Sequence, residues 1–248
     1  MLRSLKQLEN FKVMARDGAI GSVRDFYFDD SRWIVRYLVA DTAGFWEETH
    51  QVLVSPISFR QADWGTREFH LALTVEKVRQ SPGTGLDKPV SRQFEQDYFR
   101  YYGWPYYWGS DGIWGQWRYP GELAASAEGP LPEPAVPGDP HLRSIQEVVG
   151  YHILAQGKEI GHVDDFIVDD ETWSIRYLVV DTSNWWLGKK VLLAPHWVDE
   201  ISWADNHVAM GLTAETIRNS PEWLPGELVN REYETRLYDY YGRPGYWR

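Results

Sequence analysis

The sequence predicts a mainly β protein made of two small β-barrels in pseudo-two-fold tandem, each followed by short helices. Three observations carry this expectation. The segment Gly21-Ser22-Val23-Arg24-Asp25-Phe26-Tyr27-Phe28-Asp29-Asp30 recurs, 140 positions later, as Gly161-His162-Val163-Asp164-Asp165-Phe166-Ile167-Val168-Asp169-Asp170, and Trp33 to Thr42 recurs as Trp173 to Thr182. A repeat of this length implies a duplicated structural unit. After Thr42 and Thr182 the offset falls by one, and Val52-Leu53-Val54-Ser55-Pro56 then matches Val191-Leu192-Leu193-Ala194-Pro195. Finally, each copy is rich in short runs of β-branched and aromatic residues separated by turn residues, which suits five or six short strands in a small barrel.

Taken in order, Phe11 to Met14 leads through Asp17-Gly18, a tight-turn pair, into Ala19 to Val23, a first hairpin. Gly21 and Gly161 interrupt strand patterns, where glycine marks a bulge or sharp bend. Phe26 to Phe28, the polar turn from Asp29 to Arg32 and the run Trp33 to Val39 form a second hairpin. In that run Trp33, Val35, Tyr37 and Val39 share one face, and Arg36, like Arg176 in the second copy, is expected to protrude from the more polar opposite face. Val52 to Val54 and Glu68 to Leu73 supply further strands. Thr74 and Thr213 read as helix N-caps, with Pro82 and Pro221 as stops. A second helix follows in each copy: Phe94, Tyr98, Tyr101 and Tyr102, like Tyr233, Leu237, Tyr240 and Tyr241, recur at helical spacing before the C-cap glycines Gly103 and Gly242. The domain boundaries that result are 1–119 for the first copy, a Pro/Ala-rich extended linker over 120–140, and 141–248 for the second copy.

Composition narrows the function classes. The chain has no cysteine, which removes disulfides, thiolate metal sites and cysteine nucleophiles together. No stretch approaches the roughly 18 apolar residues of a membrane span, and the start has no apolar core of signal-peptide length, so the reading is a soluble, cytoplasmic protein without membrane insertion. The net charge is −11, and it is uneven: residues 1–125 carry 15 Lys+Arg against 16 Asp+Glu, residues 126–248 carry 10 against 20. Such a field repels phosphate backbones and argues against general nucleic-acid binding, while a basic protein partner suits it.

The hairpin motif, Gly-x-Val-x-Asp followed by an Asp turn and Trp-x-hydrophobic-Arg-Tyr-Leu-Val, stands at Gly21 to Asp41 and again at Gly161 to Asp181. Here the chain resembles the PRC-barrel family, over roughly residues 5–82 and 143–221. That family includes the cytoplasmic domain of the photosynthetic reaction centre H subunit and the C-terminal domain of a ribosome-maturation factor. The resemblance implies a bacterial, non-catalytic adaptor that grips another macromolecule, with no cofactor and no catalytic residues.

Candidate site residues follow two lines. Asp29, Asp30, Asp169 and Asp170 offer oxygen ligands for a divalent cation, in a ligand-binding or enzymatic alternative with a site in the groove between the barrels. Asp-Asp between two strands is equally what a turn requires, because a short carboxylate bonds the backbone two residues on. No Asp-x-Asp-x-Asp-Gly spacing is present. The seven histidines show no His-x-x-x-His pair and no position shared between copies; only His50, His70, His196 and His207 are expected near strands. The other line is aromatic. Trp104, Tyr106, Tyr107, Trp108, Trp114, Trp117 and Tyr119 crowd one glycine-containing stretch with Gly109, and the second copy carries Tyr246-Trp247. These rings, with Arg36 and Arg176, are either a recognition surface for a protein partner or a seal between the two barrels. The expected state is a pseudo-dimeric monomer, with a homodimer left open.

Overall fold

The computed structural model describes residues 1–46, 51–82, 90–108, 110–126, 142–182 and 188–247. His50, Gly109 and the linker prolines Pro130, Pro132, Pro134, Pro137 and Pro140 lie outside the described residues. The protein is mainly β, with fourteen strands among the described residues: β1 Leu2–Ser4, β2 Lys12–Met14, β3 Ala19–Asp29, β4 Ile34–Asp41, β5 Gln51–Val54, β6 Phe59–Asp63, β7 Glu68–Leu71, β8 Leu142–Ser144, β9 His152–Ala155, β10 Lys158–Asp169, β11 Ile175–Asp181, β12 Lys190–Leu193, β13 Val198–Ser202 and β14 His207–Met210. The helices are short: α1 Leu5–Leu8, α2 Val75–Arg79, α3 Arg92–Tyr102, α4 Pro120–Ala125, α5 Ile145–Val148, α6 Ala214–Arg218 and α7 Arg231–Tyr241. No helix among the described residues is long and apolar enough to cross a membrane.

The strands form two seven-stranded mixed sheets of the same connectivity, β5-β4-β3-β2-β7-β6 and β12-β11-β10-β9-β14-β13, in each of which one further strand joins the long central one. The β2–β7 and β9–β14 ladders are parallel, the rest antiparallel. The end strands of each order share no ladder among the described residues. The long central strands β3 and β10 run through what the sequence divides into two pieces; paired bulges between Val23 and Asp25, and between Val163 and Asp165, take up the irregularity. At each bulge the carboxylate accepts the next backbone N–H, Asp25 from Phe26 and Asp165 from Phe166, both at 2.7 Å. The opening hairpin, the strands at 51–54 and 68–71, the caps Thr74 and Thr213 and both C-cap glycines in left-handed conformation stand where the sequence places them. Residues 120–125 differ: expected as extended linker, they form α4, with proline at the first turn and Leu123 fully buried.

Two compact units result, and neither is a continuous stretch of chain. The first unit comprises Leu8–Ile145 with Glu171–Ser174; the second comprises Met1–Gln7, Gln146–Asp170 and Ile175–Arg248. The strand that joins β3 in the first unit is β8, and the strand that joins β10 in the second is β1. In the first unit, Trp173 is 4% exposed and packs against Phe26, Phe59 and Phe69 at ring distances of 6.4, 5.2 and 6.0 Å. Its backbone carbonyl accepts the N–H of Val35 at 2.8 Å. The core of the second unit is built on Val163, Phe166, Val168, Tyr177, Val179, Val191 and Leu193, all essentially inaccessible to solvent.

Candidate functional site

β4 presents Arg36 and Tyr37 side by side. Alternation puts them on opposite faces, and both are 0% exposed, because this strand is covered on both faces. The expectation that Arg36 protrudes into solvent is therefore corrected. Its cover comes from far along the chain: Nη1 donates to Ile113 O at 2.6 Å, Nη2 pairs with Asp29 at 3.2 Å, and the guanidinium lies 3.9 Å from the Tyr107 ring centroid and 4.8 Å from that of Trp114. A buried arginine is tolerated only when paired and hydrogen-bonded in this way.

Below it sits a group that sequence reading missed. Glu95, on α3, is 0% exposed. Its Oε1 accepts the hydroxyls of Tyr37 at 2.9 Å and Tyr107 at 2.7 Å, and its Oε2 pairs with Arg92 at 2.6 Å. The second unit repeats the arrangement. Glu234, 2% exposed, accepts Tyr177 and Tyr246 hydroxyls, both at 2.8 Å, and pairs with Arg231 at 3.0 Å. Arg176 pairs with Asp169 at 3.3 Å and lies 4.2 Å from the Tyr246 ring centroid. A tryptophan closes each cluster over the helix arginine, Trp108 at 4.4 Å from Arg92 and Trp247 at 4.1 Å from Arg231. The signal that betrays these glutamates is the pair Arg92-x-x-Glu95 and Arg231-x-x-Glu234, repeated in register on aromatic helix faces.

Burial pushes the Glu95 carboxyl up to about 7, against the opposing pull of Arg92 and the two phenols. Burial likewise holds the Tyr37 and Tyr107 phenols well above their ordinary range. A carboxyl that titrates near neutrality has the acidity of a general acid or base. Full burial with both oxygens engaged keeps Glu95 from any substrate, so what it does here is fasten α3 and the following aromatic segment to the sheet.

The remaining candidate residues are placed as follows. Trp104 and Tyr106 are each 7% exposed and pack on α3, Trp104 at 6.1 Å and Tyr106 at 6.1 Å from Phe99. Trp247 packs edge-on to Tyr238 at 5.0 Å. The rings expected to seal one barrel against the other thus find these partners inside their own units. They are also tied through their helices: Tyr101 donates to Lys77 O and Tyr240 to Thr216 O, both at 2.8 Å, fixing α3 to α2 and α7 to α6.

The four aspartates are engaged individually. Asp29 caps its turn by accepting Ser31 N and Arg32 N, both at 3.1 Å, besides pairing with Arg36. Asp30 pairs with Arg143 at 3.0 Å, Asp169 with Arg176, and Asp170 with Arg3 at 3.2 Å and with the Met1 amine. Among the described residues, no three His, Cys, Asp or Glu side chains are grouped so as to hold a metal ion. A cleft of about 680 Å³ opens in the second unit beside Gln156, Lys158, Glu215 and Arg218, and none of the sequence-predicted site residues lines it.

Residues 141–205 match the PRC-barrel domain family. The matched segment takes in β8 to β13 and stops short of β14, α6 and α7. No curated protein matches the chain.

Proposed function

We propose that the chain is a non-catalytic adaptor, built from two PRC-type barrel modules in tandem, that holds a basic protein partner. What supports this reading is where the surface keeps apolar groups. The ionisable side chains gathered at the Arg36 and Arg176 clusters are consumed by internal pairing, whereas Leu224 and Leu228, four residues apart on the α6–α7 connection, are 50% and 64% exposed. Exposed leucines within the more acidic copy combine an apolar anchor with a field that attracts cations, the anatomy of a protein interface with a charged rim. The PRC-barrel match over 141–205 supports an adaptor over an enzyme, since the resemblance implies a gripping module.

The test uses the full chain as bait in native bacterial cytoplasm, with a Leu224→Asp/Leu228→Asp variant beside it. The reading expects proteins of basic character that are retained by the wild type, released as salt is raised, and lost from the variant at unchanged melting temperature. Equal capture by both baits, or saturable calorimetric binding of Mg²⁺ or Ca²⁺ lost on substitution of Asp29 or Asp169, overturns it.

A further inference from the structure

The strands β1 and β8 are the same tripeptide, Leu2-Arg3-Ser4 and Leu142-Arg143-Ser144, followed by Leu5 and Ile145. Each lies antiparallel on the long central strand of its unit, and the registers are equivalent: Ile167↔Ser4, Val168↔Arg3 and Asp169↔Leu2 in one, Tyr27↔Ser144, Phe28↔Arg143 and Asp29↔Leu142 in the other. The side-chain recognition is also the same. Ser144 Oγ donates to Asp25 at 2.5 Å and Ser4 Oγ donates to Asp165. Arg143 pairs with Asp30 at 3.0 Å and Arg3 with Asp170 at 3.2 Å. Leu5 and Ile145 are then buried, at 1% and 5% exposure.

Each acceptor therefore holds the strand that the opposite copy encodes. Backbone ladder, serine, arginine and apolar anchor are equivalent at both places; Lys6, which pairs with Asp164 at 3.0 Å where the other place has Gln146 and Arg24, matches the Leu2 strand to β10, but nothing in the recognition specifies which molecule supplies that strand. Only the covalent connection does, by raising effective concentration. Exchange of an identical element between protomers is a low-cost route to association, because no contact is lost.

We propose that the groove along β10, formed by Ile167 to Asp170 with Asp165, is an exchangeable strand-acceptor site, and that its occupant in trans is the Leu2–Gln7 segment of a second copy of this chain. Two molecules that trade these segments form a closed pair in which every acceptor is filled. The site belongs to the sheet edge and is separate from the exposed leucines of the adaptor reading.

Charge reversal across the Arg3–Asp170 pair tests this in full-length protein. Arg3→Glu places two acids together within one chain, and Asp170→Arg places two bases together. Mixed and refolded as one solution, these two variants satisfy both acceptors only by exchange. The acid introduced at position 3 of one chain then meets the base introduced at position 170 of the other, and the native Arg3 meets the native Asp170. The expected result is a species of twice the chain mass, by size exclusion and native mass spectrometry, that makes up most of the mixed sample and less than a tenth of either variant refolded alone. The Arg3→Glu/Asp170→Arg double variant is expected to melt within about 3 °C of the wild type as a monomer. A mixture that stays monomeric while the double variant recovers overturns the exchange in trans. A double variant that melts no higher than the single variants overturns the recognition pair itself.

Discussion

A side chain at Gly21 or Gly161 collides with main chain. A Cβ built on Gly21 falls 2.1 Å from Asp41 O and 2.8 Å from Asp41 C; on Gly161 it falls 2.1 Å from Asp181 O and 2.9 Å from Asp181 C. Ordinary contact begins near 3.4 Å, so the strands must part by more than an ångström. They have little room to do so, because Thr42 and Thr182, the next residues, are buried. Overpacking costs about 1–3 kcal/mol in adaptable cores, and an obstacle made of backbone puts Gly21→Ala at the top of that range, roughly 3 kcal/mol. Gly161 has φ of +148°, a region nearly closed to other residues, which adds about 1–3 kcal/mol. At about 2–8 °C per kcal/mol for domains of this size, Gly21→Ala lowers the melting temperature by on the order of 10 °C, and Gly161→Ala by more. Gly103→Ala is the control: φ is +72° but nothing lies within 4 Å, leaving only strain of about 1–2 kcal/mol. Scanning calorimetry of the three variants is expected to rank them Gly161, Gly21, Gly103 in severity. Gly21→Ala melting within 2 °C of the wild type would refute the close-approach argument.

Two further outcomes follow from buried polar groups. Because burial raises Glu95 from 4.5 to about 7, the folded state binds this proton more tightly than the unfolded state. The stability contributed by its protonated form is complete below about 4.5 and lost as pH rises through about 7, a span worth about 3 kcal/mol. Glu95→Gln, which cannot ionise, is expected to flatten the fall in melting temperature between pH 5 and 7.5; an unchanged slope counts against the assignment. Tyr238→Phe is expected to leave stability equal or up to about 1 kcal/mol higher, because the buried Tyr238 hydroxyl has no hydrogen-bond partner within normal geometry and the equivalent residue of the first copy is Phe99. A clear loss in a denaturant titration would show that the hydroxyl is satisfied after all.

Much of the fold was legible because repetition amplifies weak signals: the hairpin at Gly21 to Asp41, the threonine caps and the aromatic helices each occur twice in register. The strands β6 and β13 were not, since Phe59-Arg60-Gln61-Ala62-Asp63 and Val198-Asp199-Glu200-Ile201-Ser202 are half-exposed edges without an apolar run. Nor were β1 and β8, where three residues are too few for periodicity to register and the partners lie 167 and 113 positions away. The burial of Arg36 was hidden for a related reason: Asp29 is near in sequence, but the lid, Ile113, stands 77 residues downstream. The glutamates Glu95 and Glu234 look like solvated helix charges until the tyrosines that bind them are seen to converge.

The trading of strands imposes an order on synthesis. Arg3 leaves the ribosome 167 residues before Asp170, its partner, and at roughly 5–20 residues per second that is a wait on the order of ten to thirty seconds. The first unit faces a similar delay, since its core stays open until Trp173 has emerged. A nascent chain thus carries an unpaired strand and an unclosed aromatic core until the second copy has emerged, and a pause or a premature stop in the second copy leaves the first one unfinished as well.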